Sequence, residues 1–224
     1  MKLGKLLLLG GALLGASVSL HAQLVTIDTT SAWDHSSYLN VFGTGGFTDT
    51  YGQTFTTGAT ATVLQSFSFQ LAPLTVDFWA GVGTWEAGRI GTMVFESGPM
   101  NIGTGFDGFA NVPVSTNNLQ LASNTQYVAF FSTTGLQNPV GSNSWGFLWA
   151  EAYNGGAVVW FNNPDKAALT TEAWDGGMSQ NDLAFTIRLA TSAGEAVPEP
   201  STYGLLGAGV LLGLAIWRRR AARR

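Results

Sequence analysis

Glu86, Glu96, Glu151, Glu172 and Asp175 are the residues from which this chain would build a hydrolytic reaction. Glycoside hydrolysis needs two carboxyl groups, and their separation in space sets the outcome. Glu151 lies in a run of aromatics, where a sugar-cleaving acid would sit, but no E-x-D-x-x-E-type cluster accompanies it. Imidazole chemistry is scarcer. Beyond the first 22 residues His35 is the only histidine, so a Ser-His-Asp triad or a histidine metal site has one imidazole at most. Asp34-His35 reads as a polar surface pair. The absence of cysteine excludes thiol nucleophiles, Fe–S clusters and zinc held by thiolate. Gly103-Thr104-Gly105-Phe106-Asp107-Gly108 spells G-x-G-x-x-G, yet a dinucleotide site needs a strand before it and a helix after it. Phe109-Ala110-Asn111-Val112-Pro113 is no helix start, and a loop is expected. The oxygen-rich loops Asn162-Asn163-Pro164-Asp165 and Asp175-Gly176-Gly177 offer the ligands calcium takes; ordinary Asx-turns explain them equally well. The expectation is no catalytic residue, no metal site and no cofactor, with calcium the one ion these loops leave open.

The aromatics carry more information. In Trp145-Gly146-Phe147-Leu148-Trp149-Ala150-Glu151-Ala152-Tyr153 the large rings alternate. On a strand, Trp145, Phe147, Trp149 and Tyr153 share a face with Glu151, and the small residues take the other. If the ring face is core, Glu151 is a buried charge or lies at the strand end. If it is exposed, it is a platform on which sugar rings stack. Trp79 and Trp85 flank Gly81-Val82-Gly83. Trp79 is out of register with Val76, Phe78 and Ala80, so an exposed ring is expected there. Trp79, Trp85, Trp145, Trp149 and Glu151 are therefore the candidate carbohydrate-contacting residues.

The elements that position them read as strands. In Gln65–Leu71, Phe67, Phe69 and Leu71 alternate with polar residues, and Leu183–Leu189 alternates likewise, the pattern of half-buried strands. Leu24–Asp28, Gln53–Thr57, Val76–Ala80, Thr92–Ser97, Gln126–Ser132, Ser144–Tyr153 and Ala157–Asn162 are further candidates. Gly43–Gly46, Ser97–Pro99, Asn154–Gly156 and Asp175–Gly177 have turn chemistry. Asn154-Gly155 between two aromatic strands predicts a hairpin. No long 3.6-residue apolar stripe and no internal repeat occur. An all-β fold follows: an antiparallel β-sandwich, jelly-roll-like, with helix only at the two ends. Leu119–Val128 resembles a turn-then-strand pattern of extracellular β-sandwich modules.

Both ends differ from this middle. Lys2 and Lys5 precede an apolar stretch from Leu6 to Val18, and Ser19-Leu20-His21-Ala22 leads to Gln23, the form of a secretory signal peptide. Cleavage is placed after Ala22. At the other end Val197-Pro198-Glu199-Pro200 precedes an apolar segment, and five of the last seven residues are arginine. Arginines beside a span stay cytoplasmic, so the chain before it lies on the far side. The span, residues 201–217, is roughly 25 Å long at 1.5 Å per residue, short against a core of about 30 Å. It also holds four glycines. A weak anchor suits a temporary hold, and the two prolines keep the motif extended for a protease.

Val197, Pro198, Glu199 and Pro200, the Gly-Leu span and Arg218, Arg219 and Arg220 resemble the PEP-CTERM sorting signal of Gram-negative bacteria. The resemblance covers the last 27 residues or so. It implies processing by an exosortase-type enzyme, transient membrane anchorage, export across the inner membrane to the cell surface or extracellular matrix, and association with exopolysaccharide or biofilm. The expected organisation is a signal peptide over 1–22, a β-sandwich domain over 23–190, a linker over 191–196 and the sorting signal with its transmembrane helix over 197–224. Between Gln23 and Val197 three basic residues face thirteen acidic ones, a net charge of −10. Charge will not draw this domain to nucleic acid. The function expected is non-catalytic contact with polysaccharide by an exported protein; a secreted glycan-active hydrolase and a purely structural matrix protein are the alternatives.

Overall fold

The computed structural model describes residues 23–137 and 139–191. The signal peptide, the sorting motif from Val197 to Pro200, the span over 201–217 and Arg218, Arg219 and Arg220 lie outside the described residues. Among the described residues no helix is long and apolar enough to cross a membrane.

Among the described residues thirteen strands follow in order: β1 Leu24–Asp28, β2 Tyr38–Thr44, β3 Thr50–Thr56, β4 Ala61–Leu71, β5 Trp79–Glu86, β6 Arg89–Glu96, β7 Ala110–Gln120, β8 Gln126–Ser132, β9 Gly141–Leu148, β10 Val158–Phe161, β11 Gly176–Met178, β12 Asp182–Leu183 and β13 Phe185–Thr191. They form two antiparallel sheets. One has the order β1-β13-β4-β9-β12, with β7 also on β4 and β2 also on β9; the other runs β11-β10-β3-β8-β5-β6. Phe67, Phe69 and Leu71 of β4 and Phe185, Ile187 and Leu189 of β13 face Tyr51, Phe55, Tyr127, Ala129 and Phe131 of the second sheet in one continuous core. The serines of β4 and Arg188 take the opposite face, as period two demands. Leu64 and Phe67 both point inward although three positions apart. The ladder register shifts between Leu64 and Ser66 to allow it.

The second sheet is buried on both faces. Trp79, Val128, Phe130, Val159 and Phe161 on its outer side pack under the segment 162–175, whose single helical turn, α1 (Ala168–Thr171), contributes Ala168 and Leu169, and whose end contributes Trp174. Helix is thus not confined to the ends of the chain: α1 and a 3-10 turn at Thr30–Ala32 lie within the domain.

Three local expectations are corrected. Asn154-Gly155 joins no hairpin. β9 belongs to the first sheet and β10 to the second, so residues 149–157 cross between sheets. The strand expected over Ser144–Tyr153 stops at Leu148, where β12 pairs with it through Asp182 and Leu183. The strand expected over Val76–Ala80 starts only at Trp79. The two ends of the domain meet: β1 pairs with β13, the Gln23 N–H donates to Thr191 Oγ1 at 3.0 Å, and the Thr191 N–H returns to the Gln23 carbonyl at 3.0 Å.

Candidate functional site

The expected site residues separate into three environments. Trp145 is fully buried in the main core, ringed by Phe42, Tyr51, Phe69 and Phe131 at 4.9–5.8 Å between centroids. Phe147 beside it is buried too. The ring face of β9 is therefore core, and Glu151 stands exposed beyond the strand end.

Trp79 corrects the expectation of an exposed ring: it is 2% exposed. Its register is as read, opposite Ala80 and Val82, but the face it occupies is covered by segment 162–175. Its indole N–H donates to the Thr134 carbonyl at 3.0 Å, its ring lies edge-on to Phe130 at 5.2 Å, and the Lys166 ammonium sits 4.3 Å from its centroid, paired with Glu96. Trp85 lies half-buried at the margin of this cluster, edge-on to Trp174 at 5.2 Å.

Trp149 is different. It is 70% exposed, the first residue past β9, and its ring stands edge-on to Phe147 at 4.8 Å. With Glu151 it lines an open groove of about 440 Å³ whose other wall comes from Trp33, Asp34 and Ser37. That wall is rigid. Asp34 accepts N–H bonds from Ser36 (2.9 Å) and Ser37 (2.6 Å) and the Ser37 hydroxyl (2.7 Å), while the Trp33 indole donates to the Ser37 carbonyl at 2.7 Å. Chiefly through the Ser37 N–H, these donors hold the Asp34 carboxyl well below the usual carboxylate range. His35 has a left-handed backbone (φ 61°) and lays its ring against Trp33 at 4.9 Å.

The crossover carrying Trp149 and Glu151 is fixed by a residue that the sequence reading did not single out. Asp182 is fully buried; one carboxylate oxygen accepts the Ala152 and Tyr153 N–H groups, both at 2.7 Å, and the other accepts Gln53 Nε2 at 2.9 Å. The Gln53 side-chain oxygen Oε1 in turn accepts the Leu183 N–H at 3.0 Å. Burial, the largest influence, pushes the Asp182 carboxyl up despite these donors. No short motif announces this group; its partners are 29, 30 and 129 positions away.

The oxygen-rich loops come together as turns. The Asp175 carboxylate accepts the Asn162 N–H at 2.5 Å, Asn163 bridges to Glu172 at 3.1 Å, and Asp165 caps the Ala167 N–H at 2.9 Å. Among the described residues no group of three His, Cys, Asp or Glu side chains is disposed to hold a metal. Residues 103–108 form a loop that leads into β7, with no helix after it.

Similarity to known proteins enters at the tail. Residues 196–220 match the PEP-CTERM protein-sorting motif. The motif marks an exported protein for membrane-associated sorting, and an exosortase is the enzyme that recognises it. No curated protein matches the chain. Among solved structures, the cysteine protease and lectin-like domains of Cwp84, a surface layer associated protein of Clostridium difficile, share 13% identity over 64% of this chain and 32% of that one, with a TM-score of 0.43. A clostridial Cwp84 structure after propeptide cleavage shares 12% identity over 70% of this chain and 38% of that one, with a TM-score of 0.45. The chain thus spans about a third of the length of either.

Proposed function

We propose that this exported protein works at the cell surface or in the extracellular matrix as a non-catalytic module that contacts polysaccharide through Trp149. In this reading residues 1–22 are removed as a signal peptide, residues 201–217 anchor the chain during sorting, and the sandwich is jelly-roll-like. The observation that supports contact is the single one of an indole 70% exposed, braced by Phe147 and set above a groove with Glu151 and Ser37. Sugar rings offer an apolar face to an indole and hydroxyls to carboxylate and hydroxyl neighbours. Covering one such face, about 60 Å², is worth roughly 1.5 kcal/mol at about 25 cal/mol/Å², so attachment would rest on many copies acting together.

A hydrolase would need Glu151 as its proton donor, because the Ser36 and Ser37 donors hold Asp34 ionised. The test is retention of the full chain on the producer's own polysaccharide. Trp149→Ala should lose retention while the protein stays folded, and Glu151→Gln should release no more and no less reducing sugar than wild type. Retention unaffected by Trp149→Ala overturns the contact, and hydrolysis that disappears in Glu151→Gln establishes the hydrolase instead.

A further inference from the structure

A second cavity, about 850 Å³ and open to solvent, lies elsewhere, between the β2–β3 turn and the loop after β10. Val41, Gly45, Phe47, Asp49, Asn162 and Pro164 are among the residues that line it. The turn is built under strain. Val41 has φ 78°, a region that a β-branched residue enters only when its surroundings force it. Two bonds do the forcing: the Thr48 N–H to the Val41 carbonyl at 2.7 Å and the Gly43 N–H to the Thr48 carbonyl at 3.0 Å. A third, from the Thr44 hydroxyl to the Pro139 carbonyl at 2.6 Å, ties the turn to the segment before β9. The result exposes Val41 and sets Asp49 in the cavity wall only 8% exposed.

Asp49 is poorly satisfied for a buried carboxylate. Its side chain accepts one long bond, from the Thr133 hydroxyl at 3.4 Å to Oδ1. Burial accordingly raises its hold on a proton. A buried acceptor with spare lone pairs calls for donors. The lining residues include no Lys, Arg or His, so an anion finds no partner there and meets the Asp49 charge instead. A single carboxylate also falls short of the six to eight oxygens a calcium ion takes. Hydroxyl donors remain, together with the apolar surfaces of Phe47, Val41 and Pro164 for a ring's C–H face.

We propose that this cavity is a binding pocket for a neutral sugar unit, with Asp49 accepting from its hydroxyls, Asn162 bonding at the rim and Phe47 against its apolar face. The proposal rests on the reading that this protein meets polysaccharide, and adds a second site, on different elements, for a chain end or branch. The volume is that of ligand pockets in general, about 300–1,000 Å³.

The experiment is calorimetric titration of the full chain with four neutral trisaccharides (cellotriose, maltotriose, mannotriose and tri-N-acetylchitotriose) and with anionic trigalacturonate. At least one neutral trisaccharide should bind with one site per chain, and trigalacturonate at least tenfold more weakly. Asp49→Asn and Phe47→Ala should each weaken the neutral ligand at least tenfold; Phe47→Ala decides if Asp49→Asn fails to fold. Trp149→Ala should leave trisaccharide binding unchanged even where it abolishes retention on the polymer. Binding by none of the four, equal binding of trigalacturonate, or wild-type affinity in Phe47→Ala overturns the pocket. Loss of trisaccharide binding in Trp149→Ala alone would place the ligand in the Trp149 groove, refuting the pocket and supporting the earlier reading.

Discussion

At the residue scale, three tryptophans that look alike in the sequence have three different thermodynamic meanings. Trp145→Ala and Trp79→Ala should each cost about 3–5 kcal/mol, because each leaves a ring-sized void in a close-packed cluster. Trp149→Ala should stay within about 0.5 kcal/mol of wild type, as a surface change does. Denaturant midpoints measure all three, and a large loss for Trp149 would mean its ring is structural. Trp145 carries a further consequence: its indole N–H is buried and finds no acceptor among the described residues. Trp145→Phe removes that orphan donor, so it should cost clearly less than Trp145→Ala. Asp182 is the other decisive residue. Asp182→Asn keeps the shape but sets an amide N–H₂ where two backbone donors and Gln53 already point, and should cost about 1–3 kcal/mol. Its pH dependence has a definite sign. Folding raises the Asp182 pKa above its ordinary 3.8. Between 3.8 and the folded value the unfolded chain has shed a proton that the folded one keeps, so this stabilisation falls as pH rises through that window. The advantage of wild type over Asp182→Asn should therefore narrow as pH rises from about 3.8; melting curves showing it widen would contradict the assignment. Asp34 has the opposite sign. Its folded pKa is depressed, so its contribution is present above 3.8 and is lost as pH falls toward its folded value.

At the element scale, strands whose pattern obeys period two were legible and those with an interruption were not. Gln126–Ser132, a short run buried on both faces, is read to the residue, and the alternating centres of β4 and β13 are read correctly because each of those two turns one apolar face to the core. β2 hides its pattern behind a bulge between Leu39 and Phe42. β7 contains Pro113, which ordinarily argues against a strand; here β7 pairs with β4 alone, and an outer strand tolerates a residue that cannot donate. The two asparagines at its far end, Asn117 and Asn118, take left-handed backbone (φ 54° and 59°) where the register with β4 slips. For the candidate site, alternation left core and platform both open at Trp145, Trp149 and Glu151, and it misplaced the Trp79 ring on the surface. Alternation shows which face a ring takes, not whether a distant segment covers that face. The crossover 149–157 carries its own test. A Cβ on Gly156 would stand 1.7 Å from the Thr54 carbonyl oxygen, a backbone atom that cannot rotate away. Gly156→Ala should therefore cost about 2–3 kcal/mol by overpacking; a chemical melt unchanged from wild type would show that the crossover shifts without penalty.

At the scale of the whole molecule, the address is carried by the C-terminal motif. Residues 196–220 match a sorting motif, so the mature protein from its native host should lack Arg218–Arg224, which intact-mass measurement reads directly; a mature mass that includes them would rule out removal. Replacing Arg218, Arg219 and Arg220 with neutral residues should impair retention at the membrane before sorting. The acidic domain between the ends, with Gln23 hydrogen-bonded to Thr191, has a mechanical consequence. Any tension applied through the C-terminal segment enters the fold at Thr191, the last residue of β13. That strand lies between β1 and β4, antiparallel to both. A pull along β13 must therefore shear two ladders of hydrogen bonds at once instead of unzipping one from an edge. Force arriving through the tail is thus met by a strand flanked on both sides, and the domain should resist it better than one gripped at an edge strand.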